Sequence, residues 1–414
     1  MNASRKPEGR ALIIGGSMAG LFSALLLQRI GWDVEVFERV DSGLASRGAG
    51  IATHRELIAA LGRAGIGGSR EIGVVIPGRR TLDRDGKIIG EYPLRQTMTS
   101  WGYLFGLLIE KLPEARYHKG KSLRSVTQTA SGVTAEFEDR TVENGDLLIG
   151  ADGIHSTVRR QLAPEVSPVY AGYVAWRSLV EEAKLSPEVH EAVFNWLAFC
   201  LPPGEQMLGY PVAGPNDDLR PGRRHYNFVW YRPADEHTEL ARLLTEADGK
   251  RNALSIAPDR IEPAIIAEMR AVADELLAPQ FAKIVRLSER SFFQPIFDLE
   301  MPHMAFDRVA LLGDAAFVGR PHVGMGVTKA ADDAVALADA LVETNHDVER
   351  GLKRFEKARL PVGDQVIARA RHLGAYMQAQ ISSEEERRMA ETFRTPEAIM
   401  RETAVSSFLT PIDD

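Results

Sequence analysis

The chain has 414 residues, 44% of them hydrophobic and 26% charged, with a formal net charge of −7. This is a globular composition, long enough for two or three domains. The acidic balance and the lack of any long Lys/Arg run exclude a nucleic-acid surface, and no stretch reaches the ~18 uncharged apolar residues of a membrane span. One cysteine, Cys200, excludes an intramolecular disulfide framework and fits a reducing compartment. The His, Asp and Glu residues show no familiar metal-ligand spacing, so no metal is expected. The opening "MNASRKPEGR" is polar, and the "ALII" after it is too short for a signal segment. A soluble cytoplasmic protein is the expectation.

Residues 11–15 read as a buried strand. Residues 19–31 read as a helix, its turns marked by Leu21, Ala24, Leu25 and Gln28 and its end by Gly31, and "DVEVFER" is the next strand. The chain therefore opens with a βαβ unit. Looser glycine-rich stretches follow at 43–50 and 62–78, then a helix at about 101–112 and short strands near 121–128 and 132–138. "DLLIGADG" is another buried strand ending in a loop. From about residue 170 the texture changes: "YAGYVAWRSLV", "MLGYPVAG" and "HYNFVWYRP" are aromatic and β-branched and predict an antiparallel sheet. A helical insertion is expected over 234–280, after which "DRVALLGDAA" returns to the buried-strand texture. Long helices run from 326 onward, Pro361 is expected to kink or break one of them, and "SEEERR" (383–388) reads as a solvated helix face.

The first loop carries chemistry. Gly15, Ser17 and Gly20 stand at the Rossmann spacing, with Ser17 in the place of the middle glycine and Met18 and Ala19 opening the helix. Small residues are needed there because the backbone must turn tightly and approach a pyrophosphate. The helix N-terminus then faces that charge with about half a positive charge of its own. Glu38 closes the next strand, where an acid accepts ribose hydroxyls and disfavours a 2′-phosphate. Arg39 beside it is either a cofactor contact or a surface residue. The alternative for the glycines is a turn that serves packing only.

Two further stretches stand downstream: "GADGIHSTVR" (150–159) and "GDAAFVGRPHVGMGV" (313–327). They are similar to the Asp-Gly and Gly-Asp motifs of flavoprotein aromatic hydroxylases. With the N-terminal loop they are in the same order, and over nearly all of residues 10–375 the chain resembles the single-component FAD monooxygenases of the p-hydroxybenzoate hydroxylase type. The resemblance implies an α/β fold: a discontinuous Rossmann-type FAD-binding domain (10–76, 100–165, 300–330), an inserted antiparallel-sheet substrate domain (77–99, 166–299) and a C-terminal helical region (331–414). It implies bound FAD, transient NADH or NADPH, and O₂. A flavin C4a-hydroperoxide would then hydroxylate a small electron-rich aromatic or N-heteroaromatic ring. The stretches "YAGYVAWR", "NFVWY", "GRPH" and "GVTKAADDA" favour a dihydroxypyridine-like one.

The resemblance also assigns roles. Asp314 would accept from a ribityl hydroxyl, its alternative being a helix cap or turn residue. Gly324, Met325, Gly326 and Val327 would form a helix N-terminus at the pyrimidine edge of the flavin, with Pro321 stiffening the approach. Asp152 with Gly153 would contact the FAD pyrophosphate. In "SRGAGI" (46–51), Arg47 would lie near the adenosine ribose or pyrophosphate, and Gly48 and Gly50 near the ring. Where many relatives carry an Arg near the start of the helix at 101, this chain has Trp101, leaving more to Arg47 and the backbone. His322 is the first candidate for a base or substrate hydrogen bond, against a histidine that merely bonds its own loop. Tyr210 is the second, against a packed tyrosine. Arg177 and His225 rank behind them, and Trp176, Phe228 and Trp230 read as sheet core. A flavin oxidase or reductase of the same fold and a non-catalytic FAD-binding protein stay open as alternatives, as does a homodimer. No nucleic acid or membrane partner is expected.

Overall fold

The computed structural model describes residues 7–41, 50–67, 71–252, 254–379, 381 and 383–409. The chain opens with β1 (Arg10–Ile14), α1 (Met18–Arg29) and β2 (Asp33–Phe37). Next come β3 (Gly50–Ala52), α2 (Arg55–Arg63), the hairpin β4 (Val74–Leu82) and β5 (Ile88–Ser100), α3 (Trp101–Ile109) and β6 (Tyr117–His118). The meander β7 (Leu123–Thr129), β8 (Gly132–Phe137) and β9 (Val142–Gly145) leads to β10 (Leu147–Gly150) and α4 (Thr157–Leu162). The middle region is β11 (Val169–Glu181), the short α5 (Pro187–Val189), β12 (Leu197–Cys200), β13 (Gln206–Val212), β14 (His225–Pro233), α6 (Glu239–Leu243), α7 (Pro263–Leu276), α8 (Pro279–Leu287) and β15 (Phe292–Glu300). The chain returns through β16 (Ala305–Phe306), β17 (Val309–Leu311) and β18 (Phe317–Val318) to α9 (Gly326–Glu343), α10 (Val348–Gly374), α11 (Glu384–Phe393) and α12 (Pro396–Glu402).

Two sheets organise the site. The first has the order β16-β17-β10-β1-β2-β6, and β17, β10, β1, β2 and β6 run parallel. Its central strands are unbroken apolar runs because a parallel sheet is covered on both faces. Ile13, Leu148 and Leu311 share one core with Leu25 of α1, Leu104 of α3, Phe137 of the meander and Leu337 of α9. The second sheet has the order β18-β15-β11-β14-β13-β12-β4-β5-β3. Cross-strand partners share a face. Trp176 pairs with Trp230 and Ser178 with Phe228, and that face packs on α7 and α8 through Met269 and Phe281, so the aromatic wall is sheet core. The opposite face carries Tyr173, Ala175 and Arg177 of β11, then Asn227, Val229 and Tyr231 of β14, then Leu208 and Tyr210 of β13.

Two helical expectations need correction. α10 does not break at Pro361 but runs through it for 27 residues. A proline removes one i→i−4 bond. Here Phe355 before it and Val366 and Ile367 after it are all buried, so tertiary packing holds helix on both sides of it. The insertion at 234–280 is not a continuous helical block: α6 is short, the next full helix starts at Pro263, and α8 runs on to Leu287. "SEEERR" does begin an exposed helix, α11, capped by the Ser383 hydroxyl accepting from Glu386 N at 3.1 Å. Among the described residues no helix is long and apolar enough to cross a membrane, and no His/Cys/Asp/Glu group is arranged to hold a metal ion.

Candidate active site

The carboxyl ends of adjacent parallel strands bring the three motifs together. Gly15 N donates to Phe37 O at 2.8 Å, Ala151 N to Ile14 O at 2.7 Å and Leu312 N to Gly150 O at 3.0 Å. The loops leaving β2, β1, β10 and β17 thus emerge side by side, where open α/β sheets bind their ligands. They enclose a cleft of about 460 Å³ lined by Gly15, Ser17, Met18, Ala19, Glu38, Arg39, Asp152, Gly153, Asp314, Gly326 and Val327, among others. Gly15 has φ +106°, and a Cβ there would lie 2.3 Å from Ala151 O. A Cβ on Gly20 would lie 1.9 Å from Gly15 O, so Gly20 serves the turn by letting α1 approach it and does not line the cleft. No side chain caps α1, which leaves its first N–H groups available to an anion. The Glu38 carboxylate accepts from Gly16 N and Val40 N, both at 2.9 Å, and so stands fixed at the cleft wall.

Asp314 projects into the cleft and is reachable from it. Its depth among protein atoms raises its pKa; Lys329 opposes the rise and Asp333 adds to it, and access from the cleft tempers the effect. Its turn is braced from α9: Asp333 Oδ2 accepts from Gly313 N at 3.0 Å and from Lys329 Nζ at 2.6 Å, and Asp333 Oδ1 from Arg359 Nε at 2.8 Å. The buried Arg159 of the second motif donates to Ala315 O at 3.1 Å, tying that motif to the third. Asp152 Oδ2 accepts from Thr157 N at 2.6 Å and Val158 N at 3.3 Å, while Oδ1 is buried without a partner; burial raises its pKa against those bonds. Trp101 starts α3, lines the cleft and stacks on Phe105 at 5.0 Å, an apolar plate where a cation was the alternative. The lining fits a flavin dinucleotide: a glycine cradle and bare helix N-terminus, with Asp152 and Gly153 beside them, for the pyrophosphate, and the acceptors Glu38 and Asp314 for hydroxyls.

The third motif also bridges the two sheets. From β17 it turns at Gly313, pairs as β18 with Leu299 and Glu300 of β15, and makes a short 3₁₀ turn at Pro321–Val323 before α9. Asp314 is thereby left in the cleft, while His322 is carried to the Tyr173–Tyr231 face of the second sheet. His322 is 1% exposed, its ring 4.1 Å from that of Tyr231, and its Nε2 lies 2.9 Å from the Tyr173 hydroxyl. It pairs with a side chain, not with its own loop. Nδ1 is buried and unpartnered. Burial, then the Arg320 and Arg177 guanidiniums, hold the ring's pKa well below 6.5, so it is neutral. The loop is anchored by Arg320, buried and paired with Asp298 at 2.9 Å.

Tyr210 is buried on the same sheet face, with its ring against Gly50, where a Cβ would lie 2.4 Å away. Burial raises its pKa, so it is a neutral phenol. Gly50 N also donates to Asn227 Oδ1 at 3.2 Å. Pro321, Gly324 and Met325 do not line the cleft. Met325 is buried against Val366 and Ala370 of α10, and Gly324 (φ +67°) faces Ala404, so only Gly326 and Val327 bring the α9 start to the cleft. Arg47 and Gly48 lie outside the described residues. His225 ends the sheet as the partner of Val212 and Glu181, away from His322. Sequence reasoning missed Lys121, Ser122, His155 and Thr157 in the cleft wall. It also missed a C-terminal strap. Ala404 N donates to His322 O at 2.9 Å, and Ala404 O faces His54 Nε2 at 3.1 Å and accepts from Gln96 Nε2 at 3.0 Å. Buried Arg79 donates to Met400 O at 2.5 Å.

Residues 170–298 match the family model described as FAD binding domain-like. The chain is 30% identical to 2,6-dihydroxypyridine 3-monooxygenase of Paenarthrobacter nicotinovorans, covering 89% of this chain and 91% of that protein. It is 27% identical to 6-hydroxynicotinate 3-monooxygenase of Pseudomonas fluorescens, covering 84% and 87%. The solved structure of 2,6-dihydroxypyridine-3-hydroxylase from Arthrobacter nicotinovorans superposes with a TM-score of 0.85 at 29% identity, covering 92% of this chain and 95% of that one.

Proposed function

The chain belongs to the FAD-dependent aromatic hydroxylases, and from that premise we propose that it uses NAD(P)H and O₂ to hydroxylate a small electron-rich N-heteroaromatic ring of the dihydroxypyridine kind. The observation that carries the reading is the bridging loop of residues 313–327. It opens at the cleft with Asp314, presents neutral His322 to an aromatic sheet face, and returns to the cleft at Gly326 and Val327. When bound, FAD supplies the redox chemistry, taking electrons from NAD(P)H and delivering one oxygen atom of O₂ to the ring.

The chain's own residues bind and orient. Gly15, Ser17 and the α1 N-terminus hold the pyrophosphate, with Met18 and Ala19 beside it; Glu38 and Arg39 flank the adenosine ribose, and Asp314 holds the ribityl chain. The start of α9 at Gly326 and Val327 offers partial positive charge to an electron-rich flavin edge. His322, with Tyr173 fixing one ring nitrogen, presents Nδ1 for a hydrogen bond to a substrate oxygen or for taking its proton. Tyr210 offers a hydroxyl from the opposite wall. The buried aromatic face keeps water from the reacting ring.

The reading is tested by following NADH and NADPH oxidation with hydroxypyridines, hydroxybenzoates and other phenols, while measuring product mass and peroxide together. A ring that speeds oxidation and gains one oxygen is the expected result. Fast oxidation yielding only peroxide with every ring would favour the oxidase reading. Bound FAD with no NAD(P)H oxidation under any ring would favour a non-catalytic flavin protein.

A further inference from the structure

The C-terminal strap is held by a buried cation that the reading above leaves without a role. Arg79 lies mid-strand in β4, between Tyr92 of β5 and Leu197 of β12, and is 0% exposed. Burial lowers its pKa, but only to about 10, so it is charged at neutral pH. The guanidinium directs its donors to neutral acceptors: Met400 O at 2.5 Å, Gln96 Oε1 at 3.1 Å and Ala404 O at 3.5 Å. Met400 stands in the last turn of α12, whose final carbonyls have no partner within the helix. A cation there satisfies one of them and faces the negative end of the helix dipole. A charge so deep is costly to bury, and what it secures is the end of α12 and the strap that follows.

Ala404 is where the strap meets both functional sides. Its φ is +52°, a left-handed backbone that a residue with a Cβ rarely adopts, so its surroundings impose the conformation. Besides Arg79, its carbonyl accepts from Gln96 Nε2 at 3.0 Å and faces His54 Nε2 at 3.1 Å. Gln96 is oriented in turn, since its Oε1 accepts from Arg79 and its Nε2 also donates to Thr53 O at 3.0 Å. Burial lowers the pKa of His54 and keeps the ring neutral. A carbonyl only accepts, so the one ring proton is on Nε2, and Nδ1 accepts from the Thr328 hydroxyl at 2.9 Å. Thr328 follows Gly326 and Val327 at the start of α9. On its other side Ala404 N donates to His322 O at 2.9 Å. One residue thus braces the backbone of His322 and, through His54, the turn of α9 that lines the cleft.

We propose that Arg79 is a positioning residue for hydroxylation: it seats Ala404, and the seated strap fixes His322 relative to the start of α9. This deepens the hydroxylase reading and rests on it. Arg79 does not line the cleft and acts through Ala404. With the strap unseated, the cleft still serves the transfer of two electrons from NAD(P)H to O₂, but His322 no longer holds the ring in place. NAD(P)H, a proton and O₂ then give NAD(P)⁺ and H₂O₂, where the seated enzyme passes one oxygen atom to the ring and the other to water.

The test uses the full-length FAD-loaded enzyme as wild type, Arg79→Met, Arg79→Lys and Gln96→Met. Three quantities are read in each: hydrogen exchange over residues 400–409, flavin content, and the ratio of hydroxylated product to peroxide per NAD(P)H with an accepted hydroxypyridine. Arg79→Met should speed exchange in that segment and lower the product-to-peroxide ratio about 10-fold or more, the weight of a hydrogen bond to a charged group. Flavin content and the KM for NAD(P)H should stay level. Arg79→Lys, which keeps the charge at the end of α12, should restore most of the ratio. Gln96→Met removes a donor to Ala404 O from a less buried position and should shift exchange and ratio the same way by less; it decides the matter if Arg79→Met does not fold. Unchanged exchange in both Met variants, or faster exchange with an unchanged ratio, would overturn this proposal alone. A fall in flavin content with product and peroxide lost together would also overturn it, making Arg79 a support of the fold and no more. If the wild type gives no hydroxylated product with any ring, the hydroxylase reading falls and this one with it.

Discussion

At the scale of single residues, the proposed roles divide between Asp314 and His322, eight positions apart on one loop and facing different surroundings. Asp314→Ala removes an acceptor from the cleft wall. FAD affinity, read by flavin fluorescence, should fall about 10–100-fold, the value of a hydrogen bond to a charged group; a variant that retains full affinity would free Asp314 of that role. His322→Ala should slow hydroxylation about 100-fold or more while flavin content stays level, and wild-type turnover in that variant would remove His322 from the reaction. The depressed pKa of His322 also fixes a pH dependence. The folded state resists a proton that the unfolded chain accepts below about 6.5, so the neutral ring's contribution to stability is complete above that pH and is lost as pH falls through it. Urea midpoints between pH 5 and 8 should therefore drop on the acid side in wild type, and less in His322→Gln. For the same reason the kcat/KM profile should show no acid limb near 6.5 that vanishes with His322. The neutrality was not legible in sequence: "GRPH" announces the histidine, but its burial against Tyr173 and Tyr231 comes from strands about 150 and 90 positions away.

At the scale of elements, the bridging loop works because both of its ends are held. α9 holds the Gly313 end through Asp333, Lys329 and Arg359, and the strap at Ala404 holds the other. Gly324 faces that strap: its φ of +67° suits glycine, and a Cβ there would come within 2.7 Å of Ala404 Cβ. Gly324→Ala should lower stability by about 1–2 kcal/mol from the left-handed backbone alone. It should also raise the peroxide formed per NAD(P)H, because Ala404 N donates to His322 O and a displaced strap would displace that residue. Thermal denaturation with a coupling assay checks both, and an unchanged melting temperature would mean the strap yields freely. The βαβ opening, the Gly-Asp turn and the three aromatic strands were legible because each is a local pattern of period or turn chemistry. The strap was not. Its contacts join Ala404 to His54, Gln96 and His322, and "ETAVSS" carries no turn, cap or charge signal that would announce a binding partner. Pro361 misled for a related reason, since a local helix breaker was overridden by packing on both sides of it.

At the scale of the whole molecule, the fold places a dinucleotide cleft at the carboxyl ends of one sheet and an aromatic, donor-lined face on another, with the 313–327 loop running from one to the other. The family resemblance carried by the three motifs already implied the cleft, and the structure adds that their strands are neighbours, which brings their loops together. The opposing face could be seen only after strand register showed which of the alternating residues look toward His322: Arg177, Asn227, Tyr210 and Tyr231 do, while Trp176, Phe228 and Trp230 look toward α7 and α8. That arrangement makes sense if the oxygen placed on the ring comes from O₂ at the flavin and not from solvent. The most direct test is to run the purified FAD-loaded enzyme with NAD(P)H and an accepted hydroxypyridine under ¹⁸O₂ in ordinary water, and to weigh the product. The account predicts one ¹⁸O atom in the new hydroxyl. A hydroxyl carrying only the oxygen of water, or a ring returned unchanged beside labelled peroxide, would contradict it.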